Sequence, residues 1–559
     1  VSLVLKIRSG STTYMELWRW SYFFRKKISS IWMFLDAKLV LEAWIHGVYA
    51  GTKKNQFRNI EVHSGIYFSP SAANLRRDRK IQLYPFLGVF SMDKFFKVSA
   101  LTAAMFGAVA VAPATASTES AAGGEYVEKV NEFMQDSSLN AMFVVDTRSR
   151  TRTTGKPGGE NGDRWSRLNY SSYNAIIDFT SGYHDGWLGA DVAAYYSGDL
   201  YNDSLKGADG YLCNEISTCT NLDWGAGDGD QLKVYKAALK FKTGENFNAR
   251  FGMLQAGGNG TIGNVWSFVP GTYRGFELNA KLGDFNLSYF GADQFTAPWL
   301  LHEDDYAPAL WSDTSWSYLH SLGLNGNITD ALFFQVGLGQ ATGVKYANGI
   351  DWGAGQVTSY HDETDNTSYK AYLKYTVSDR TTLAFDFYGV DDDVKYDGLG
   401  FHTGLSLNQS FGKLSWMSEL RYTDTDNRSD FVPRTIHTYG MNNGTWSQWW
   451  DALSDWNKAG ELAWYNRLSY NQGNGWNYYL GFGYGSGADS AASGASGDWD
   501  YESEYAVNAT VSYSLQSGSL KGTTVRLHGT ILERDEFAGA ADADETDLRL
   551  QVLIPYSFH

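Results

Sequence analysis

Cysteine and proline are scarce in this 559-residue chain, and long apolar runs are missing from most of it. Two cysteines and nine prolines exclude a disulfide-rich secreted scaffold and a proline-rich low-complexity chain. After the first quarter of the chain no stretch of about 18 apolar residues occurs, which excludes membrane-spanning helices there. The mean hydropathy of −0.35 does not exclude a membrane, because a strand of a transmembrane barrel is apolar on only one face.

Positive charge is also scarce in the main part of the chain. Residues 1–91 carry 14 Lys and Arg against 5 Asp and Glu, whereas residues 117–559 carry 30 against 56. The acidic part has no basic footprint of the kind that binds nucleic acid. We therefore expect no nucleic-acid partner.

Residues 92–116 have the layout of a secretory signal peptide. Lys94 and Lys97 form a charged start, an apolar stretch follows, and Ala114-Thr115-Ala116 is a small-residue cleavage site. We expect cleavage after Ala116. Residues 1–91 are then an upstream extension that we attribute to a misassigned start, with Met92 as the true first residue.

The two cysteines lie close together, in the stretch GYLCNEISTCTN. In an exported chain, Cys213 and Cys219 most simply form one small disulfide loop. Free thiols and metal ligation are the alternatives, and no histidine or third cysteine nearby supports a metal.

The hairpin 369–390 shows the pattern on which the fold assignment depends. Leu373 and Phe385 belong to a continuously apolar and aromatic face, whereas Lys374 and Asp386 belong to a polar one. Period-two alternation is typical of a β-strand with two different faces. Each arm has about 9–11 residues, enough for a tilted strand to cross a bilayer.

The same alternation recurs and predicts eighteen strands. Their ranges are 139–151, 171–180, 187–197, 231–242, 247–255, 273–282, 285–292, 316–326, 331–340, 368–377, 381–390, 400–410, 414–424, 461–470, 476–485, 504–515, 522–533 and 546–558. Short turns and long loops alternate between them without exception. This indicates an all-β chain that forms an 18-stranded antiparallel transmembrane barrel over 117–559, with short periplasmic turns and long extracellular loops.

Other architectures account less well for this order of connections. A Greek-key sandwich has no reason to sort its connections into two alternating classes. A secreted glycan-binding β-protein is the alternative from another class of function. A barrel of eighteen strands is too wide to be filled by its own wall side chains, so water or inward-folded loops must occupy its lumen.

Several unlike stretches resemble the OprD family of outer-membrane porins, and its chitoporin branch in particular. FMQDSSL at 133–139 resembles the start of the family's first strand. The chitoporin-like stretches are LKVYKAALKFK, VWSFVPGTYRGFELNA, FTAPWLLHEDDY, YLHSLG and WWDALSDWNKAGE. Family members usually end in an aromatic residue, and here Phe558 is followed by His559.

The resemblance implies a mostly monomeric, substrate-selective channel in the outer membrane of a Gram-negative bacterium, in contact with lipid and lipopolysaccharide. It further implies that loops fold inward to form a constriction, the third loop near 256–272 above all. In the chitoporin branch the passenger is a chitooligosaccharide. The alternative within the family is a channel for amino acids or for small aromatic or carboxylic acids.

Sugars are bound by aromatic faces and by planar polar groups, and the long loops are rich in both. The candidate substrate path consists of Trp266, Phe268, Tyr273 and Arg274 in or just after the third loop, Trp299, His302, Glu303, Asp304 and Asp305 in the fourth, and Trp446, Trp449, Trp450, Asp451 and Trp456 in the seventh. Interfacial aromatic girdles and packing between loops are the alternative roles for these rings.

Charged residues on the polar faces are candidates for the lumen lining. They are Lys370, Lys374, Asp386, Arg421, Arg467 and Arg526. The cations among them could attract anionic substrates, although charged residues are also the default polar lining of a barrel wall. The acidic clusters at 391–393 and 542–545 are expected to be solvated or bridged to surface lipid by divalent cations.

No pattern in the sequence indicates an enzyme, and we expect neither catalytic residues nor a cofactor. The match of Gly258–Gly263 to GxGxxG lacks a surrounding βαβ unit and predicts only a glycine-rich loop. HEDDY is not HExxH, and we expect no metal site at His302.

Overall fold

The computed structural model describes residues 133–134, 136–154, 164–202, 231–257, 259–263, 271–296, 314–351, 356–426, 452–454, 456–488, 501–536 and 544–558. The upstream extension, the signal peptide and the disulfide predicted between Cys213 and Cys219 lie outside these residues. Within them, no helix is long and apolar enough to cross a membrane.

Eighteen strands form one closed antiparallel wall. They are β1 Ser138–Thr154, β2 Arg164–Thr180, β3 Leu188–Asn202, β4 Gln231–Thr243, β5 Phe247–Leu254, β6 Thr272–Leu282, β7 Phe285–Thr296, β9 Tyr318–Thr329, β10 Leu332–Asp351, β12 Thr364–Ser378, β13 Thr381–Asp392, β14 Gly398–Phe411, β15 Leu414–Asp424, β16 Leu462–Asn471, β17 Trp476–Ser486, β18 Tyr501–Ser514, β19 Thr524–Glu536 and β20 Glu545–Ser557. Two short segments, β8 (Thr314–Ser315) and β11 (Gln356–Tyr360), pair only with the loop end of β10.

Pairing of the first strand with the last closes the ring. Asn140 stands opposite Ser557 and Arg152 opposite Glu545 in an unbroken register. The amide of Phe558 also donates to the Leu139 carbonyl, 3.0 Å away. Closure leaves no unpaired edge among the eighteen described strands of the wall, which is a requirement for backbone in contact with lipid.

The two faces of the wall have the polarity that the alternation predicts. Leu373 is 42% exposed and Leu383 is 45% exposed on the outer face, whereas Asp386, which stands opposite Tyr372 in the register, is 5% exposed on the inner face. Large apolar side chains are exposed in the same manner around the ring, for example Leu239, Leu405 and Leu480. Such an apolar outer surface is suited to lipid and contradicts the secreted alternative.

Tight turns join the strands at one end of the barrel. Glycine occupies a left-handed position in several of them, with φ of 57° at Gly244, 65° at Gly283 and 67° at Gly412. Two-residue hairpin turns favour this conformation because it matches the twist of the strands. The alternation of short and long connections is not strict, since two loop-side connections, 393–397 with five residues and 537–544 with eight, are shorter than the nine-residue connection 515–523 on the turn side.

Candidate functional site

The start of the third loop folds onto the inner wall. We call residues 257 and 259–263 the glycine-rich segment. An ion pair between Arg250 and Glu277 fixes the backbone that leads into this segment. Arg250 also donates to the Gln255 carbonyl at 3.0 Å, and Glu277 accepts from the Gly257 amide at 2.8 Å. The resemblance predicted a constriction of this kind at the third loop.

Neutral hydrogen bonds hold the glycine-rich segment against β7, β9, β10, β12 and β13. Thr261 is fully buried, its amide donates to Ser321 Oγ at 2.8 Å, and its carbonyl accepts from the Tyr388 hydroxyl at 2.8 Å. Ser368 Oγ donates to Thr261 Oγ1 at 2.8 Å. Asn259 donates to Ser288 Oγ at 2.9 Å.

Glycines in the wall make this close approach possible. A Cβ on Gly323 would lie 2.2 Å from the Asn259 carbonyl oxygen, and one on Gly337 would lie 3.0 Å from the Gly260 carbonyl carbon. A Cβ on Gly339 would lie 2.0 Å from Thr261 Oγ1. Glycine inside a strand often marks a place where another backbone approaches, so SLGLNG and VGLGQ carried a signal that the sequence analysis missed.

The end of the seventh loop also lies on the inner wall, and we call 452–454 and 456–461 the Trp456 segment. Trp456 is 1% exposed, and its ring lies against the backbone of β17, where a Cβ on Gly483 would be 3.0 Å from the ring. Ser454 Oγ donates to Glu504. Burial, and secondly the carboxylate of Glu504, raise the pKa of Glu461 well above its ordinary value.

A compact charge cluster lies on the inner face of β12–β15. Arg421 donates to Glu419 Oε1 at 2.9 Å, and both side chains are 1% exposed. Asp386 lies 3.6 Å from His402 Nε2 and within electrostatic range of Lys370 and Arg421. When the His402 imidazole is neutral, the positive charges of Lys370 and Arg421 equal in number the negative charges of Asp386 and Glu419.

The seam between β1 and β20 carries a second balanced network. Arg148 forms a bidentate pair with Asp547, at 2.9 and 2.8 Å, and Arg549 donates to the same carboxylate at 2.8 Å. Arg150 and Arg534 share Glu545. The remaining carboxylates of the network are Glu504, which accepts from Arg534, and Asp146, which accepts from Tyr170 and Gln551.

The six predicted lumen residues belong to the inward-facing positions of their strands, and they differ in accessibility. Lys370, Asp386 and Arg421 are buried in the charge cluster. Lys374, Arg467 and Arg526 are more accessible: Lys374 Nζ lies 5.6 Å from the centroid of the Phe333 ring, and the Arg467 guanidinium lies 5.6 Å from that of Tyr479.

Other parts of the predicted site need correction. Arg274 lies on the outer face, because it shares the strand parity of Phe276 and pairs with exposed Asp293 at a bulge. Tyr273 points inward but is 0% exposed in an apolar cluster with Phe290 and Phe295, so its ring is covered. The ring of Trp456 is covered in the same way by the wall beneath it.

The acidic clusters differ from expectation at one residue each, whereas Asp391 and Asp393 are exposed as expected. Asp392 is 1% exposed and accepts from the Tyr346 hydroxyl and from the amides of Val394 and Lys395. Glu545 is buried in the seam network. Neither carboxylate is solvated.

The remaining predicted path residues lie outside the described residues. They are Trp266, Phe268, Trp299, His302, Glu303, Asp304, Asp305, Trp446, Trp449, Trp450 and Asp451. Their place in a substrate path stays a prediction.

Comparison with known proteins gives similarities in sequence and in fold. Chitoporin of Escherichia coli K12 is 28% identical over 507 residues, which cover 82% of this chain and 98% of that protein. Pseudomonas aeruginosa OpdK, solved with vanillate, matches with a TM-score of 0.56 at 17% identity, over 76% of this chain and all of that one. Acinetobacter baumannii OccAB1 matches with a TM-score of 0.56 at 16% identity, over 76% of this chain and 98% of that one. No family model matches the chain.

These similarities agree with the geometry of the wall. The structural matches share the closed barrel, and the sequence match extends over nearly the whole of a porin. All of them are channels of the Gram-negative outer membrane rather than enzymes. With its eighteen antiparallel strands, lipid-suited exterior and inward-folded third loop, the chain has the fold of the OprD-like outer-membrane porins, and its sequence is similar to that of a chitoporin.

Proposed function

We propose that the channel is selective for chitooligosaccharides or similar neutral sugars, which pass by diffusion. The observation that supports this most is the pairing of charges on the inner wall. Cations and carboxylates balance in the charge cluster and in the seam network, and Lys236–Asp178 and Lys240–Asp191 add two further pairs. A wall whose charges are mostly compensated favours uncharged solutes over ions.

The similarity to a chitoporin over nearly its whole length supports the same passenger. The abundance of tryptophan in the long loops is consistent with it, because aromatic rings stack on the C–H faces of pyranose sugars. We include Trp449 and Trp450 in the proposed path. We also propose that the channel works as a monomer, since one chain closes its own ring.

Single-channel recording in planar bilayers tests the proposal. We expect the purified barrel to conduct ions and chitohexaose to interrupt the current. Replacing both Trp449 and Trp450 by alanine should weaken this block by about 1–2 kcal/mol in binding free energy. The absence of any block at millimolar chitohexaose would reject the sugar while leaving the porin assignment intact.

A second passenger class, small carboxylic acids, is favoured by two inward-facing cations. Lys374 and Arg526 are exposed on the inner face, and the contacts of both are to uncharged groups, a phenylalanine ring and an amide oxygen. The fold match to a porin solved with vanillate points in the same direction. Strong anion selectivity in reversal-potential measurements, together with block by a small carboxylate but not by chitohexaose, would establish this alternative.

A further inference from the structure

A cavity of about 530 Å³ lies on the inner wall at the turn end of β15–β20. Neither the glycine-rich segment nor the Trp456 segment contributes to its lining. Its volume is typical of a small-molecule site. Because short turns of outer-membrane barrels face the periplasm, the cavity stands at the exit of the channel.

The strand register builds the cavity floor from two rows of polar side chains. In the first row Ser469, Tyr479, Thr510, His528 and Arg549 stand directly opposite one another on β16–β20. Opposite residues on neighbouring strands lie about 5 Å apart, close enough for their side chains to interact. The row therefore forms a continuous band of hydrogen-bonding groups that includes one aromatic ring, that of Tyr479.

Hydrogen bonds hold the first row in place. His528 Nδ1 lies 2.7 Å from Thr510 Oγ1 and 3.2 Å from the Tyr479 hydroxyl, and His528 Nε2 lies 2.9 Å from Thr530 Oγ1. Both ring nitrogens of a 6% exposed histidine are thus engaged by the wall. The position of the Tyr479 ring is fixed before any solute arrives.

The second row supplies a positioned cation. Asn477, Ser512, Arg526 and Gln551 stand opposite one another on β17–β20. Gln551 Nε2 donates to Asp146 Oδ1 at 2.8 Å, which turns Oε1 of the same amide towards Arg526 NH1, 3.4 Å away. Arg526 is therefore oriented by a neutral group, and its charge is not cancelled by that contact.

The lining is rich in donors and poor in negative charge. Among the described residues that surround the cavity, Arg526, Arg549 and Lys413 are cationic and none is an aspartate or glutamate. Such a lining fits a ligand that offers strong acceptors. The carbonyl of an acetamido group is one, the sugar hydroxyls add others, and an aromatic side chain suits the C–H face of a pyranose ring.

We propose that this cavity is a periplasmic-side subsite for one N-acetylated sugar residue of an oligosaccharide leaving the channel. The proposal rests on the proposed function, since it takes a sugar as the passenger. It also distinguishes two sugars, because a deacetylated glucosamine residue lacks the acetamido carbonyl and carries a positive charge that Arg526 and Lys413 repel.

Single-channel recording with a sugar added to one side only tests the subsite. The probe is the N-acetylglucosamine dimer, applied from the periplasmic side at fixed concentration. We expect Arg526→Gln to shorten the blocked dwell time about tenfold, the effect of losing one charge-assisted hydrogen bond. Tyr479→Leu, which removes the ring at a second point of the cavity, should shorten it severalfold.

Arg380→Gln is the matched control, because Arg380 is an exposed arginine in the turn between β12 and β13 at the same end of the barrel. We expect this variant to retain the wild-type dwell time. Insertion of each variant into the bilayer as a stable open channel confirms that the barrel has folded. Equal dwell times in Arg526→Gln and Arg380→Gln would overturn the subsite.

A comparison of three sugars on the wild-type channel completes the experiment. The acetylated dimer should dwell longer than cellobiose, which lacks the acetamido group, and longer than the glucosamine dimer. Equal dwell times for all three, or stronger block by a small carboxylate, would contradict an acetamido subsite. If chitohexaose still blocks from the extracellular side, only the subsite fails; if it blocks from neither side, the proposed function fails with it.

Discussion

The two loop segments on the inner wall are seated in different ways. The glycine-rich segment lies on β7–β13 and is held by neutral hydrogen bonds from serine, threonine, asparagine and tyrosine. The Trp456 segment lies on β15–β18 and is held by a buried ring and by carboxyl groups. Both use alternate glycines of a wall strand as a groove. The glycines of the wall strand make room for each segment, whereas the side chains of the segment decide which kind of contact holds it.

Trp456→Ala is expected to have the largest effect in this comparison. Removing a fully buried tryptophan costs about 3–5 kcal/mol, and this loss should fall on the Trp456 segment. Hydrogen exchange of amides 456–461 should become faster while that of 259–263 is unchanged. The control is Trp464→Ala, because Trp464 is 47% exposed on the outer face. Equal exchange in the two variants would contradict the anchoring role of Trp456.

Gly323→Ala should displace the glycine-rich segment, and the loss of stability should be smaller than that of Trp456→Ala. The new methyl group would meet the Asn259 backbone at 2.2 Å, and the segment would lose some of its hydrogen bonds at about 1 kcal/mol each. We expect higher single-channel conductance as the constriction widens. Gly483→Ala provides the contrast, since the nearest atoms to its methyl group would be side-chain atoms, at the Trp456 ring edge at 3.0 Å and the Tyr465 ring at 3.5 Å. A larger conductance change in Gly483→Ala would reverse the comparison.

Glu461→Gln should have the smallest effect on stability of the three substitutions, and this effect should appear only at high pH. Because burial and Glu504 raise the pKa of Glu461 in the folded state, its protonated form contributes stability that is present at low pH and is lost as the pH rises through the folded-state pKa. Glutamine resembles the protonated form. The melting temperature in detergent should match wild type at pH 4 and exceed it at pH 9. A lower melting temperature for the variant at pH 9 would contradict a protonated Glu461.

The strands could be predicted from the sequence because lipid and water impose opposite demands on neighbouring residues. The alternation fades where strands extend beyond the bilayer on the loop side, so their ends there were underestimated. The second strand begins at Arg164 instead of 171, and β10 runs to Asp351 instead of 340.

The site was harder to predict because loops that pack inside a lumen follow no fixed period. Aromatic composition selected Trp456 and Tyr273, but composition does not distinguish a ring that packs the wall from one that meets a solute. Strand parity counted back from inward-facing Glu277 would have placed Arg274 outside. The charge cluster and the seam network could not be found without the register, since their members are far apart in sequence.

Labelling of two adjacent positions on β12 tests most directly whether the inner face is wet and the outer face meets lipid. Cysteine is introduced at Leu373 or at Lys374 in a chain whose own two cysteines are replaced by serine, and a charged, water-soluble thiol reagent is applied to the reconstituted channel. We predict that the reagent modifies the cysteine at 374 and changes the current, and that it leaves the cysteine at 373 unmodified. Rapid modification at 373 with protection at 374 would contradict the channel.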